Sequence, residues 1–339
     1  MEEKIIHCPI CETPTDARAF LQTYISPYNN QEYKMYECSN CQVQWWEPLK
    51  MIPEFYESEV FEHYITFHMT TKINLGENHK AFFRYFPSDI KGNLLDVGCG
   101  DGRFIRYAKE YGYEVWGIDF DKKSVENVKK NFEINTVFAM SLEEFYKYAK
   151  EKGLQFDVIT FFEVLEHQDK PKEFLKMIKE LLKNEGYIAG SVPNRNRLFA
   201  EIDWKYYPGD YPPHHFLRFS KESLQKALTM NSFTNVKIFT TDYPYKEIFH
   251  HLEKKIFGNV ENLKYKIKSW VTREEKLAKV FAIEELNHVI SYKNKLKFFL
   301  IKSLKMLRNF FLLPFSFFYL PKLKQNGINL YFHAKKQEI

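Results

Sequence analysis

Cysteine is scarce and unevenly placed in this sequence: of five copies in 339 residues, four stand at Cys8, Cys11, Cys38 and Cys41, and the fifth is Cys99. So few thiols, paired near one end, exclude a disulfide scaffold and point to a reducing compartment. The opening MEEKIIHCPIC holds no apolar signal stretch, and the expectation is a cytoplasmic protein. Acidic residues vanish over 286–337, where ten Lys or Arg occur; with the whole chain at only +5, the basic surface is local and the remainder is net acidic. Within that stretch 309–321 carries no charge, yet its thirteen residues, Pro314 among them, fall short of the ~20 that a membrane span requires. Apolar and aromatic residues, in contrast, make up 45% and 17% of the chain, which is enough to bury a large core and long enough for about two domains.

Glycine is also sparse, at 13, but three copies alternate within residues 94–104, LLDVGCGDGRF. Leu94, Leu95 and Val97 read as a short buried strand, and after Asp96 come Gly98, Gly100 and Gly102. A strand running into such a turn is a nucleotide-binding mouth. Glycine permits positive φ and close approach of the backbone to a ligand, and the following helix aims its unbonded N–H groups at the same spot. The spacing is neither GxGxxG nor GxxxxGK[ST], which sets aside dinucleotide and phosphate-loop sites. From Asn93 onward strand and helix patterns alternate, as in a parallel sheet covered on both faces. Asp119 falls at the carboxyl end of the second strand, 21 residues after Gly98, where an acid can accept both hydroxyls of a ribose; the alternative is a cap for the helix starting near Asp121.

The DxGxGxG string resembles the first motif of class I S-adenosylmethionine (SAM) methyltransferases, and the resemblance extends through most of residues 94–242. It implies an α/β fold with a Rossmann-like seven-stranded sheet, whose sixth strand is 234–241 and whose antiparallel seventh is 327–334. It further implies that Asp96, Gly98 and Gly100 hold the amino-acid end of SAM, Asp119 with Phe120 beside it the ribose, and Met140, Ser141 and Leu142 the adenine. The unbroken apolar run 156–162, FDVITFF, suits a central parallel strand. It ends in Glu163-Val-Leu-Glu166-His167, a second match to the family, where these polar groups cap the loop and Glu163 steadies the methionine end of SAM. In ubiquinone-type O-methyltransferases the similar ExxEH string coordinates a divalent cation, so Mg2+ on Glu163, Glu166 and His167 is the second reading. It stands behind the first because methyl transfer from a sulfonium needs no metal.

Pro193 and Asn194 open a long loop that carries DYPPHHFLRFS and ends at Ser220, a helix cap. Imidazole titrates near neutrality, and one placed beside the acceptor can take its proton as the methyl arrives. His215 is the first candidate and His214 the second; the alternative is that the pair pins the loop to the N-terminal module. The PxHHxxxFS pattern also occurs in the family. In methyltransferases of this build the segment before the first strand covers the cofactor, which brings Tyr56, Phe61 and Tyr64 forward as lid residues, with helical packing as the alternative.

Cys8-Pro-Ile-Cys11 and Cys38-Ser-Asn-Cys41, 26 residues apart, are two thiolate knuckles suited to a closed tetrahedral zinc site. The expected organisation is a zinc ribbon over 1–48, a connecting segment over 49–92, the SAM domain over 93–242 and 327–339, and a helical insertion over 243–326. In the insertion Thr272 and Glu275 make a capping box. Leu296, Leu300, Leu304, Leu307 and Phe311 share one helical face, and Lys295, Lys302, Lys305 and Asn309 the other. Such a surface over 293–324 either packs on the protein or lies peripherally on an anionic membrane. The reading is SAM-dependent methyl transfer, to oxygen or carbon, of a small-molecule, sugar or lipid-linked glycan acceptor. An rRNA or tRNA methyltransferase that binds RNA through the ribbon, and an inactive SAM-fold binding protein, are the alternatives. FFEV stands where base-amino methyltransferases carry [DN]PP[YF], so DNA is not expected.

Overall fold

The structure is a computed structural model that describes residues 5–52, 75–258, 292–323 and 325–337. The expected lid residues Tyr56, Phe61 and Tyr64 and the Thr272–Glu275 capping box lie outside the described residues. The chain divides into two compact units: Met1–Arg197 with Pro208–Asp242 and Asn326–Ile339, and Leu198–Tyr207 with Tyr243–Gln325.

The first unit opens with short strands β1 (Ile6–His7) and β2 (Pro14–Thr15), then β3 (Phe20–Ile25), β4 (Glu32–Glu37) and β5 (Gln44–Glu47), the last three in one antiparallel sheet. Alternation in β4 turns Tyr33 and Met35 inward, and Trp45 and Trp46 of β5 are fully buried with them. A module this small has little apolar surface to bury, so two buried tryptophans and the cysteine turns carry most of its cohesion.

After α1 (Glu77–Tyr85), which stops before Pro87, the chain alternates: β6 (Gly92–Val97), α2 (Arg103–Glu110), β7 (Tyr113–Asp119), α3 (Lys122–Phe132), β8 (Val137–Ala139), α4 (Leu142–Lys152), β9 (Phe156–Phe162), α5 (Pro171–Leu181) and β10 (Leu182–Pro193). The later elements of this unit are β11 (Leu217–Arg218), α7 (Lys221–Met230), β12 (Phe233–Thr240) and β13 (Asn329–Lys336); α6 (Ala200–Tyr206) belongs to the second unit. The seven-stranded sheet runs β12-β13-β10-β9-β6-β7-β8. Neighbours from β10 through β8 pair parallel, whereas β13 inserts antiparallel between β10 and β12, as expected for the last strand. The order reverses between β6 and β9. At such a switch point the two crossovers diverge and leave a crevice at the carboxyl ends of the strands. β11 leaves this domain to pair with β5, so the N-terminal sheet is completed by two residues from the histidine-bearing loop.

In the second unit α6 is joined by α8 (Tyr245–Phe257) and α9 (Tyr292–Phe317). His251 bridges Asp203 at 2.7 Å and the Tyr243 hydroxyl at 2.9 Å, and Arg308 donates to Glu253 at 3.1 Å. Helix α9 continues through Pro314, which sits in its last turn and leaves the Phe310 carbonyl without its usual backbone donor. Leu312 and Ser316 are buried, while Phe310 and Phe318 are each 78% exposed and Leu307, Phe311, Phe315 and Phe317 are exposed as well. The described members of the expected apolar face, Leu307 and Phe311, thus face outward. Among the described residues no helix is long and apolar enough to cross a membrane.

Candidate active site

The turn after β6 takes the form its glycines allow. Gly98 and Gly100 have φ of +77° and +50°, a region costly for residues with a Cβ. A Cβ on Gly98 would meet Val164 at 2.8 Å; one on Gly100 would meet none of the described residues within 4 Å. Gly100 N–H donates to Asp119 Oδ2 at 2.9 Å, and Asp121 N–H to Oδ1 at 2.9 Å, which fixes the carboxylate at the mouth. Asp121 itself, not Asp119, caps α3. Asp96 lies beneath the turn, buried, and accepts from the Thr160 hydroxyl at 2.6 Å. Burial pushes its carboxyl up to about 8, against the effect of that hydroxyl. Burial likewise raises Asp119, opposed by the backbone N–H groups of Asp121 and Gly100.

At the neighbouring strand end Met140 and Leu142 flank Ser141, whose side chain caps α4 in a reciprocal box with Glu144. Phe120 is 60% exposed beside Asp119. Glu163, directly after β9, adopts φ of +55° and accepts from Ser191 at 2.7 Å. A non-glycine residue held in the left-handed region at a strand end marks a strained position of the kind that gathers at functional sites. Burial raises Glu163, the Ser191 hydroxyl partly offsetting it, and burial together with the Glu163 charge raises Glu166 well above the usual range.

The loop that follows α6 brings His214 and His215 against His167. Ring centroids are 4.6 Å apart for His167 and His214, 4.7 Å for His167 and His215, and 4.6 Å for His214 and His215. His215 Nδ1 donates to Asp210 at 2.9 Å, and Arg197 holds the other Asp210 oxygen at 2.8 Å. Burial acts to raise Asp210, but the His215 hydrogen bond and the Arg197 charge override it and hold the carboxyl below the usual range. Burial lowers His167 well below its ordinary value and His214 to about 4, each further disfavoured by the neighbouring imidazoles. The loop is fastened to the N-terminal sheet by other residues. Tyr211 stacks on Tyr24 at 4.3 Å, Trp46 N–H donates to Phe216 at 3.0 Å, and Arg218 lies over Tyr211 at 4.8 Å.

Asp210, Arg197 and Arg218 were not among the residues singled out from the sequence, although Asp210 and Arg218 lie in the same DYPPHHFLR string. Their roles depend on contacts that the string does not encode. His79 of α1 was missed too: it is half-buried between Phe104 and Phe162, its Nδ1 has no partner among the described residues, and burial lowers it to about 4. In the N-terminal module the four cysteine sulfurs lie within 4.8 Å of one another, with Cys8 to Cys41 and Cys11 to Cys38 at 3.5 Å. Those spacings fit the edges of a tetrahedron with metal–sulfur bonds of about 2.3 Å.

A mixed seven-stranded sheet with one internal antiparallel strand, a glycine turn at its switch point and an acid at the end of the next strand define a Rossmann-like domain of the class I methyltransferase kind. Residues 72–238 match the family described as "Methyltransferase domain". Similar curated proteins include the ubiquinone biosynthesis O-methyltransferase of Acinetobacter baylyi, 30% identical over 135 residues, covering 37% of this chain and 57% of that one. The mitochondrial ubiquinone biosynthesis O-methyltransferase of Schizosaccharomyces pombe is 33% identical over 109 residues, covering 31% and 39%. The chain therefore spans only part of the length of these relatives. A solved SAM-dependent methyltransferase from Archaeoglobus fulgidus aligns with a TM-score of 0.47 at 19% identity, over 82% of this chain and 100% of that one.

Proposed function

We propose that the protein transfers the methyl group of SAM to an oxygen or carbon of a small-molecule, sugar or lipid-linked glycan acceptor. The observation that carries the reading is convergence: the glycine turn, Asp119, Glu163 and the histidine loop all stand at the carboxyl ends of β6, β7 and β9. Gly98 and Gly100 would hold the amino-acid end of SAM, with Asp96, expected there too, buried beneath them and bracing the turn through Thr160; Asp119 and Phe120 would hold the ribose, and Met140, Ser141 and Leu142 the adenine. The open space above Gly100 and the His79 Nδ1, which has no partner among the described residues, fit a polar ligand there. SAM supplies an activated methyl group on a sulfonium. The chain's part is to align the acceptor and remove its proton. His215, whose Nδ1–H is held by Asp210, presents Nε2 for that proton, with His214 second.

Oxygen is the favoured acceptor atom because the similar curated proteins are named O-methyltransferases. A lipid-linked acceptor is favoured by the exposed Phe and Leu side chains of α9 within a stretch that has no acidic residue, a combination suited to peripheral contact with an anionic membrane surface. Zinc on Cys8, Cys11, Cys38 and Cys41 would be structural, as the site is closed.

The test is calorimetric SAM titration together with mass spectrometry of the small molecules and lipids that gain a methyl group on expression. Asp119→Ala and Gly100→Val should each weaken SAM binding by about 1 to 3 kcal/mol. His215→Ala should lower turnover about a hundredfold with SAM affinity intact. Unchanged SAM affinity in both former variants would remove the binding site from this crevice.

A further inference from the structure

We propose that Asp210, clamped by Arg197, is the positioning residue for His215: it holds the imidazole proton on Nδ1 and so keeps Nε2 for the proton of the acceptor, a role that rests on the methyl-transfer reading. One turn of the chain brings the groups together. His215 N–H donates to the Tyr211 carbonyl at 3.1 Å, which folds the segment back and sets the imidazole beside the carboxylate five residues earlier. His215 Nδ1 lies 2.9 Å from Asp210 Oδ1, Arg197 donates to Oδ2 at 2.8 Å, and Arg218 donates to the Asp210 backbone carbonyl at 3.0 Å. The side chains of Arg197, Asp210 and His215 are only 8%, 13% and 15% exposed, so water competes little for these bonds.

An ionised carboxylate oxygen can only accept, so His215 Nδ1 carries the proton and, in the neutral ring, Nε2 carries the lone pair. Packing restricts the ring as well: it stacks on His214 at 4.6 Å and 17°, and stands edge-on to His167 at 4.7 Å. For a hydroxyl acceptor, the oxygen bonds to the methyl carbon while the carbon–sulfur bond breaks and leaves its electron pair on sulfur. The hydroxyl proton passes to Nε2, and the imidazolium that results faces the Asp210 carboxylate, as in a serine–histidine–aspartate triad. Arg197 gives the arrangement its sharpest consequence. A guanidinium donates and never accepts, so the side chain at position 210 satisfies it only by offering an oxygen. In Asp210→Asn the amide oxygen therefore turns to Arg197 and the amide N–H faces His215 Nδ1, which has to accept. The imidazole proton then moves to Nε2, and a substitution that keeps the side chain's shape inverts the tautomer.

The experiment records long-range proton–nitrogen spectra of the full chain labelled with 15N-histidine, at about pH 8, above the usual imidazole range. Signals of His215 are assigned by their loss in His215→Gln. Wild type should carry the His215 proton on Nδ1. Asp210→Asn should carry it on Nε2, keep its SAM affinity, and lose about a hundredfold or more in methyl transfer from isotope-labelled SAM to the small-molecule and lipid extract of the expression host. Adding Arg197→Met frees the amide to turn its oxygen back to His215, so the double variant should regain the Nδ1 proton in part of the population and recover part of the lost transfer. Arg197→Gln, which can offer an oxygen to the amide N–H, serves as the second form of that double variant if the first does not fold. A carboxylate with a merely structural role would leave both double variants no better than Asp210→Asn. A wild-type His215 protonated on Nε2, an Asp210→Asn protein that keeps the wild-type tautomer, or folded double variants that recover neither tautomer nor transfer overturn the proposal. The spectra need neither cofactor nor acceptor. Failure of wild type to bind SAM in calorimetry would therefore refute the methyl-transfer reading, and with it the use of Nε2, while the tautomer is measured independently.

Discussion

Asp96 and Asp119 stand 23 positions apart in the chain and belong to the same expected cofactor set, yet they sit in different surroundings. Asp119 is at the mouth, with its oxygens pinned by two backbone N–H groups; Asp96 is sealed under the turn against Thr160. A carboxyl raised to about 8 by burial stays protonated in the folded protein across a range where the unfolded chain, with its Asp near 3.9, has lost the proton. The native state then binds more protons, so stability falls as pH rises from about 4 to about 8, by up to about 1.4 kcal/mol per pH unit, and levels off above. Asp119, Glu163 and Glu166 are raised as well and add slope of the same sign. Asp96→Asn keeps an acceptor for Thr160 and removes one proton from this balance. Denaturant titrations of wild type and variant from pH 5 to 9 should show the variant gaining relative to wild type as pH rises; parallel curves would mean that Asp96 is ionised in the native protein.

At the scale of elements, the N-terminal sheet bears on the site through β11. Leu217 and Arg218 pair with Trp45 and Gln44, immediately after the histidines, and Tyr211 stacks on Tyr24 just before them. Both ends of the histidine segment are thereby clamped to one small sheet whose own turns are closed by the four cysteines. Zinc in a site of this type contributes folding free energy outright. Cys38→Ser/Cys41→Ser should therefore loosen β5 and β11 together, raising amide exchange over residues 211–219 and lowering turnover tenfold or more, on the order of 1.4 kcal/mol. SAM affinity should change little, because the glycine turn and Asp119 belong to other elements. Loss of SAM binding in parallel with turnover would instead make the module a general support of the domain.

For the molecule as a whole, the asymmetry lies in where its charge and apolar surface are left uncovered. The stretch 286–337 has no acidic residue, and within it α9 exposes a row of phenylalanines that an isolated surface helix would ordinarily bury. Each basic residue near an anionic bilayer contributes about 1 kcal/mol, and inserted Phe and Leu side chains add an unscreened share. Co-sedimentation with anionic liposomes should occur at low salt, weaken at high salt without vanishing, and be lost in Phe310→Ser/Phe318→Ser with SAM affinity retained. A wild-type protein that stays in the supernatant at low salt would exclude this surface as a membrane contact.

Much of this architecture was legible in order along the chain. Alternating apolar runs announced the strands, the glycine spacing placed the mouth, Ser220 marked a helix start, and 327–334 was recognisable as the last strand, because each is a local pattern of propensity and burial. The two CxxC pairs and the HH dipeptide were equally visible. What these residues face was not, because it is decided by non-local packing. Only the folded chain lays His167 against His214 and His215, seats Asp210 and Arg197 behind them, and lends β11 to a sheet formed some 170 residues earlier. Sequence determined which chemical groups this protein carries and in what local geometry. The tertiary structure decided what those groups face: His167 Nδ1 meets the His214 carbonyl 47 residues away, a contact set by packing and not by any local pattern.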